Sequence, residues 1–237
     1  MNTTIRVLTA GAALAIAALG PATGALAATT TTNPSGQTTW QEVQQRVATA
    51  LKDRQTTLAN LTSSVQSNRY LTAGDRQALE NLLGPETQGV NQLATEVDNA
   101  TPQTTTVAQL RQDASTMVHQ YRVYLVMAPQ VHLTEAFDTQ TVVEPKLAAL
   151  EPKLQAAIAK AGNPPAAVEA YHDLLVQVTN ATTATGKTDI PAVLQVTPPG
   201  FPGDGGPLAS ASATLHSAQN DLKTARKDIG TIRDAIH

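Results

Sequence analysis

Aliphatic side chains recur along this chain at alternating steps of three and four residues, and that spacing admits one main kind of fold. Trp40, Val43, Val47, Leu51, Leu58, Leu61 and Val65 wind a single apolar stripe, because 3.6 residues per turn return such positions to one helix face. Leu215, Ala218, Leu222, Ala225, Ile229, Ile232 and Ile236 trace the cleanest stripe, a heptad seam suited to shallow packing along a neighbouring helix. No stretch shows the alternation or the β-branched density of a strand set. The expected fold is all-α, an elongated bundle of about five or six long helices with proline kinks.

The first helix is expected from about Thr38 to Gln66. Thr72-Ala73-Gly74-Asp75 places a hydroxyl three residues before an acid and opens a second helix, Ala73 to Asn99. Leu79, Leu83, Val90, Leu93 and Val97 hold register across Gly84-Pro85, so one kinked helix is expected there. A third opens after Thr101-Pro102 and carries Val107, Leu110, Ala114, Met117, Tyr121 and Tyr124. Between Val123 and Met127 the chain is apolar on every side, which predicts burial all round at the bundle centre. Pro129 either kinks that helix or separates two.

Glu144-Pro145-Lys146-Leu147 and Glu151-Pro152-Lys153-Leu154 form a short repeat that weakens any single helix through it, so the next helix is expected to start at Pro152. Leu154, Ile158 and Ala161 run inward until Gly162. Asn163 is the expected N-cap of a fifth helix, with Pro164 first and Val168, Tyr171, Leu175 and Val178 on its inner side until about Thr183. A Pro/Gly-rich loop spans 185–206, to be tacked down by Ile190, Val193, Leu194 and Phe201 and to let the final helix, from Pro207, dock late or detach.

The N-terminus reads as a signal peptide, residues 1–27. Arg6 precedes the apolar run Val7 to Leu19, and Ala25-Leu26-Ala27 fits the small-x-small cleavage rule. A flexible Thr-rich leader, 28–37, and a single helical-bundle domain, 38–237, follow. The expected location is secreted or extracytoplasmic. No second apolar run reaches spanning length, so no transmembrane anchor is expected. Without cysteine the fold has no disulfide to lean on. Losing Arg6 with the leader moves the formal net charge from −3 to about −4, the wrong sign for binding nucleic acid.

Chemistry-bearing residues are sparse. His119, His132, His172, His216 and His237 are scattered, and only Glu169-x-x-His172 has the order and spacing of a metal-ligand pair. His132-x-x-Glu135 runs in the opposite order, and no metal or cofactor site is expected. Neither a Gly-x-Ser-x-Gly elbow nor a phosphate-binding Gly-x-x-x-x-Gly-Lys loop occurs. Gly203-Asp204-Gly205-Gly206 reads as a hinge before a helix rather than an anion cradle. Asp113 and Glu135 fall at ordinary solvent-face positions, so no catalytic carboxylate pair is expected. Tyr121-Arg122-Val123-Tyr124-Leu125-Val126-Met127 is the most distinctive word. Tyr121, Tyr124, Met127 and His132 form either a ligand-lining cluster or part of the core, and the core reading is preferred.

Tyr121-Arg122-Val123-Tyr124 followed by Pro129-x-x-His132-Leu133 resembles a word in uncharacterised exported helical proteins of actinobacteria. Asp221-Leu222-Lys223-Thr224-Ala225-Arg226 with Ile232-Arg233-Asp234 is similar to their C-terminal ends. The resemblance implies an envelope or extracellular setting and a helical fold; Pro145 and Pro152 depart from its smoother helix. The expected function is a non-enzymatic structural or interaction protein of the cell envelope, with an envelope or extracellular protein as partner. The alternative is a carrier holding an apolar or lipid-like ligand between helices near Tyr121, Tyr124 and Met127.

Overall fold

The computed structural model describes residues 39–237. The expected signal peptide and the whole of the leader lie outside the described residues. The fold is all-α: α1 (Trp40–Ser67), α2 (Ala73–Asp98), α3 (Val107–His119), a π-helical turn (Val123–Met127), α4 (Ala128–Ala148), α5 (Glu151–Lys160), α6 (Pro165–Thr185), α7 (Ile190–Leu194) and α8 (Gly206–Ile236).

A capping box starts α1. Thr39 Oγ1 accepts from the Glu42 amide at 3.3 Å, and Glu42 Oε2 accepts from the Thr39 amide at 3.0 Å, satisfying two donors that a helix start leaves bare. α2 opens on Thr72 as expected and passes Pro85 as one helix. α1 and α2 pack antiparallel: Gln44 Nε2 donates to Val97 O at 2.9 Å, and further along Gln55 Nε2 donates to Asn91 Oδ1 at 2.8 Å.

The third helix starts later than expected, at Val107, because Thr106 caps it through the Gln109 amide. The residues before it form a turn in which the Thr104 amide donates to Thr101 O, and Trp40 Nε1 fastens that turn by donating to Thr105 O at 2.7 Å. α3 then stops at His119 instead of carrying both tyrosines. The apolar word resumes as a π turn, in which the Ala128 amide reaches back five residues to Val123 O. Burial all round does not hold there. Val123, Val126 and Met127 are buried, but Tyr124 is 37% and Leu125 38% exposed, because this connection between α3 and α4 has neighbours on one side only. Pro129 sits in the first turn of α4, where its missing N–H costs nothing.

α4 runs through Pro145 to Ala148, and α5 begins with Pro152 in its first turn. Asn163 is not the cap of the next helix. Gly162 takes φ 83° and Asn163 φ 56°; the Gly162 amide donates to Ala159 O and the Asn163 amide to Ile158 O, so both residues close α5 in a Schellman turn. Pro164 caps α6 instead. Ala161, expected inward, is exposed.

The inner face of α6 is also rotated from the expected one. Ala167, Ala170, Leu174, Val178, Ala181 and Thr185 are buried, while Tyr171 and Leu175 are only partly covered. The alanines explain the rotation, since they let α6 lie close against Ala218 and Ala225 of α8 in the most extensive helix pair of the fold. Segment 185–206 is partly helical. Ile190, Val193 and Val196 are buried, Phe201 packs on the core, and Asp204 Oδ2 accepts from the Thr197 amide at 3.0 Å. Glycine is required at 205, where a Cβ would meet the Phe201 ring at 2.7 Å.

Buried apolar side chains fall into two clusters. The larger joins α1, α2, α3, the π turn, the first half of α4, α7 and the start of α8. The smaller holds Ile158, Ala167, Ala170, Leu174, Val178, Ala225 and Ile232 from α5, α6 and the far half of α8. Only α4 and α8 pass from one to the other.

Candidate functional site

α4, one of those two bridging helices, carries a buried polar row. Along α4, Gln130, Thr134, Asp138, Thr139, Gln140 and Glu144 are all buried, and this helix lacks the clean stripe of the others. Each long member reaches a different element. Gln130 Nε2 donates to Val193 O and Val196 O, both at 2.9 Å, and clamps α7. Asp138 Oδ2 accepts from the Thr72 amide at 2.7 Å, at the start of α2. Gln140 Nε2 donates to Leu215 O at 3.1 Å on α8. Thr185 Oγ1, at the end of α6, lies 3.1 Å from Gln140 Oε1 and 2.5 Å from Glu144 Oε1.

Burial pushes the Asp138 and Glu144 carboxyls up from their ordinary values. The amide of Thr72 opposes this at Asp138, where Asp75 adds to it, and the hydroxyls of Thr185 and Thr182 oppose it at Glu144. Glu135 on the same helix is not at an ordinary solvent-face position. Ser64 Oγ donates to its Oε1 at 2.6 Å, and His132 Nδ1 lies 3.7 Å from its Oε2. Burial works to raise this carboxyl, but hydrogen bonds from His132, Ser64 and Asn68 outweigh it and hold Glu135 below its ordinary value. Here the carboxylate stands between serine and histidine. The arrangement ties α1 to α4.

The word around Tyr121 is dispersed by the fold. Tyr121 is partly buried with its ring against Gly89 of α2, so closely that a Cβ at residue 89 would collide with it. Tyr124 faces outward under the Arg54 guanidinium, whose carbon lies 5.0 Å from the ring centroid. Met127 is 2% exposed in the larger core, and His132 lies on the surface. These four side chains therefore do not converge on one pocket. Two concavities are open grooves elsewhere, one beside Gln45, Lys52 and Asp98, the other beside Lys187 and Pro207.

Arg54 and Glu86 were missed by sequence reasoning, although the signal was present. Val47, Leu51, Leu58, Leu61 and Val65 leave the seam of α1 open at position 54, and Leu79, Leu83, Val90, Leu93 and Val97 leave that of α2 open at 86. Ionisable residues fill both gaps. Arg54 Nε and Glu86 Oε1 are each buried without a hydrogen-bond partner. Burial lowers the Arg54 guanidinium, against the pull of Tyr124 and Asp53, and pushes Glu86 up to about 7. A raised folded value means that the folded chain holds its proton more tightly than the unfolded one. Stability from Glu86 is therefore full below its ordinary value of 4.5 and is lost as pH rises toward about 7. Replacing Glu86 with leucine should raise the urea midpoint at pH 8 and flatten its decline between pH 5 and 8; an unchanged slope would contradict this assignment.

Among the described residues no group of three or more His, Cys, Asp or Glu is placed to hold a metal ion, and Glu169 and His172 are exposed. No helix among them is long and apolar enough to cross a membrane. No family model, curated protein or solved structure matches the chain.

Proposed function

We propose that the protein is an exported, non-enzymatic interaction protein of the cell envelope that works through its helical surface, in a setting like that of the actinobacterial proteins its sequence resembles. One observation supports this reading above the others. Among the described residues the large apolar side chains left exposed are Val118, Tyr124, Leu125 and Val176; two lie in the π turn between α3 and α4 and a third, Val118, in the last turn of α3. Clustered exposed apolar residues mark contact surfaces more often than scattered ones do. Tyr124 is held there by Arg54, which gives the patch an aromatic anchor with a charged neighbour, the composition favoured at interface centres. A carrier role around Tyr121, Tyr124 and Met127 has less support, because those side chains face three different surroundings.

The test is photo-crosslinking from position 118 in intact envelope preparations, with Leu125→Asp as the comparison. The wild type is expected to give a discrete adduct, and the variant to lose it at least tenfold while keeping its helical circular dichroism. A wild type that forms no adduct, or a variant that forms the same one, would overturn the reading.

A further inference from the structure

The joint between α4, α6 and α8 contains a hydrogen-bond chain whose protons can be counted. Gln140 Nε2 donates to Leu215 O, which fixes the amide: turning it over would set Oε1 against a carbonyl oxygen that donates nothing. Gln140 Oε1 is then an acceptor facing Thr185 Oγ1 at 3.1 Å. Thr185 has a single hydroxyl proton to give. Yet Thr185 Oγ1 also lies 2.5 Å from Glu144 Oε1, within the range of a short O–H···O bond. Donating to both would take two protons, so a proton on Glu144 is what lets both contacts be hydrogen bonds at once. The chain then runs in one direction, Glu144 O–H to Thr185 Oγ1, Thr185 O–H to Gln140 Oε1, Gln140 N–H to Leu215 O, with every group satisfied.

We propose that Glu144 is a proton latch: in its neutral form it completes the chain that holds the α6 end and α8 against α4, and loss of its proton releases that joint. Once ionised, Glu144 competes with Gln140 for the one threonine proton, and where the carboxylate wins, Gln140 Oε1 is left a buried acceptor without that donor. Nothing charged compensates. The side chains acting on the Glu144 carboxyl from α6 are the hydroxyls of Thr185 and Thr182. The ionisable residues nearest it along the surrounding elements, Lys146 on α4, Lys187 and Asp189 beyond α6, His216 on α8 and Arg69 in the α1–α2 turn, are all exposed to solvent. Burial raising the carboxyl from its ordinary 4.5 agrees in direction with the proton count. The joint is therefore closed in acid and opens as pH rises, the reverse of a latch built on a carboxylate salt bridge. Because Thr185 ends α6, whose inner face builds the smaller core, and Leu215 belongs to the larger, opening the joint loosens the link between the two halves of the molecule.

Two measurements on the full chain decide the matter. The carboxyl carbon of Glu144, followed by NMR, is expected to titrate well above the range of the exposed glutamates; a midpoint among them would overturn the proposal. Hydrogen exchange, corrected for intrinsic rate, is expected to show amides 181–188 and 212–218 at least tenfold less protected at pH 8 than at pH 5. In Glu144→Gln, whose amide supplies the same donor without titrating, protection should be equal at both. Exchange that is pH-independent in the wild type, or a variant that follows the wild type, would sink the latch. Should the glutamine variant fail to fold, Thr185→Val removes the relay and is expected to leave the same amides weakly protected at both pH values; protection retained at pH 5 would count against it.

Discussion

Leu174→Ala is expected to lower stability by about 2–5 kcal/mol in urea denaturation, whereas Leu175→Ala should cost under about 1 kcal/mol. Leu174 is 1% exposed and is among the largest side chains of a cluster with only seven buried members, three of them alanines. Small neighbours have little bulk with which to fill the vacated space, so the cavity should persist and the cost should fall at the upper end of that range. Its sequence neighbour Leu175 is only partly covered. The pair thus separates two registers of α6 that differ by about one residue, or 100° around the helix. Equal losses at 174 and 175 would mean that α6 presents a different face to α8 from the one described.

Replacing Gln130 with leucine of similar length is expected to cost about 2–5 kcal/mol, despite adding apolar surface to a buried site. The side chain is 1% exposed, and its amide group serves both Val193 O and Val196 O. Removing that donor leaves Val196 O bare, at about 1–3 kcal/mol, and takes from Val193 O all but its backbone partner, the Val196 amide, at about 0.5–1.5 kcal/mol more. The matching change at exposed Gln92, which donates only to Glu96 on its own helix, should lie within about 0.5 kcal/mol of wild type. Hydrogen exchange adds a local signature: amides 190–197 should lose protection before the rest of the molecule. If Gln130→Leu is neutral and α7 remains protected, the clamp on that segment is apolar rather than polar.

Much of the architecture was legible in the order of residues, and the misses share a cause. α1, α2 and α8 follow their stripes closely because each presents one apolar face to a single neighbouring layer, and period alone then fixes which side is inward. α6 was read one residue out because its buried side includes alanines at 167, 170 and 181, which a search for large aliphatics passes over. Asn163 before Pro164 looks like a helix start, and only the left-handed turn at Gly162 shows that it ends the helix before. The π turn had no signal in apolar content, which cannot distinguish a buried segment from one greasy on an exposed side.

The site was least legible on α4. Glutamine, aspartate and glutamate at 130, 138, 140 and 144 give no local signal of burial, since such residues are rarely buried without partners. Their partners are backbone carbonyls at 193, 196 and 215, an amide at 72 and a hydroxyl at 185, none of which a local pattern reveals. The empty seam slots at 54 and 86 were visible, and a strict count of the heptads would have raised the question that the structure answers.

The sequence by itself determined that this chain is helical, where most helices begin and end, and which stripes are apolar, because period, caps and prolines act over a few residues. The tertiary structure alone decided that α4 is a buried polar bridge between two cores, that Tyr121 and Tyr124 part company, and that Glu144 meets Thr185 and Gln140 at one joint. Those outcomes depend on donors and acceptors from 41 to 75 residues away along the chain. Hydrogen bonds at such separations exist only once packing has brought the helices together.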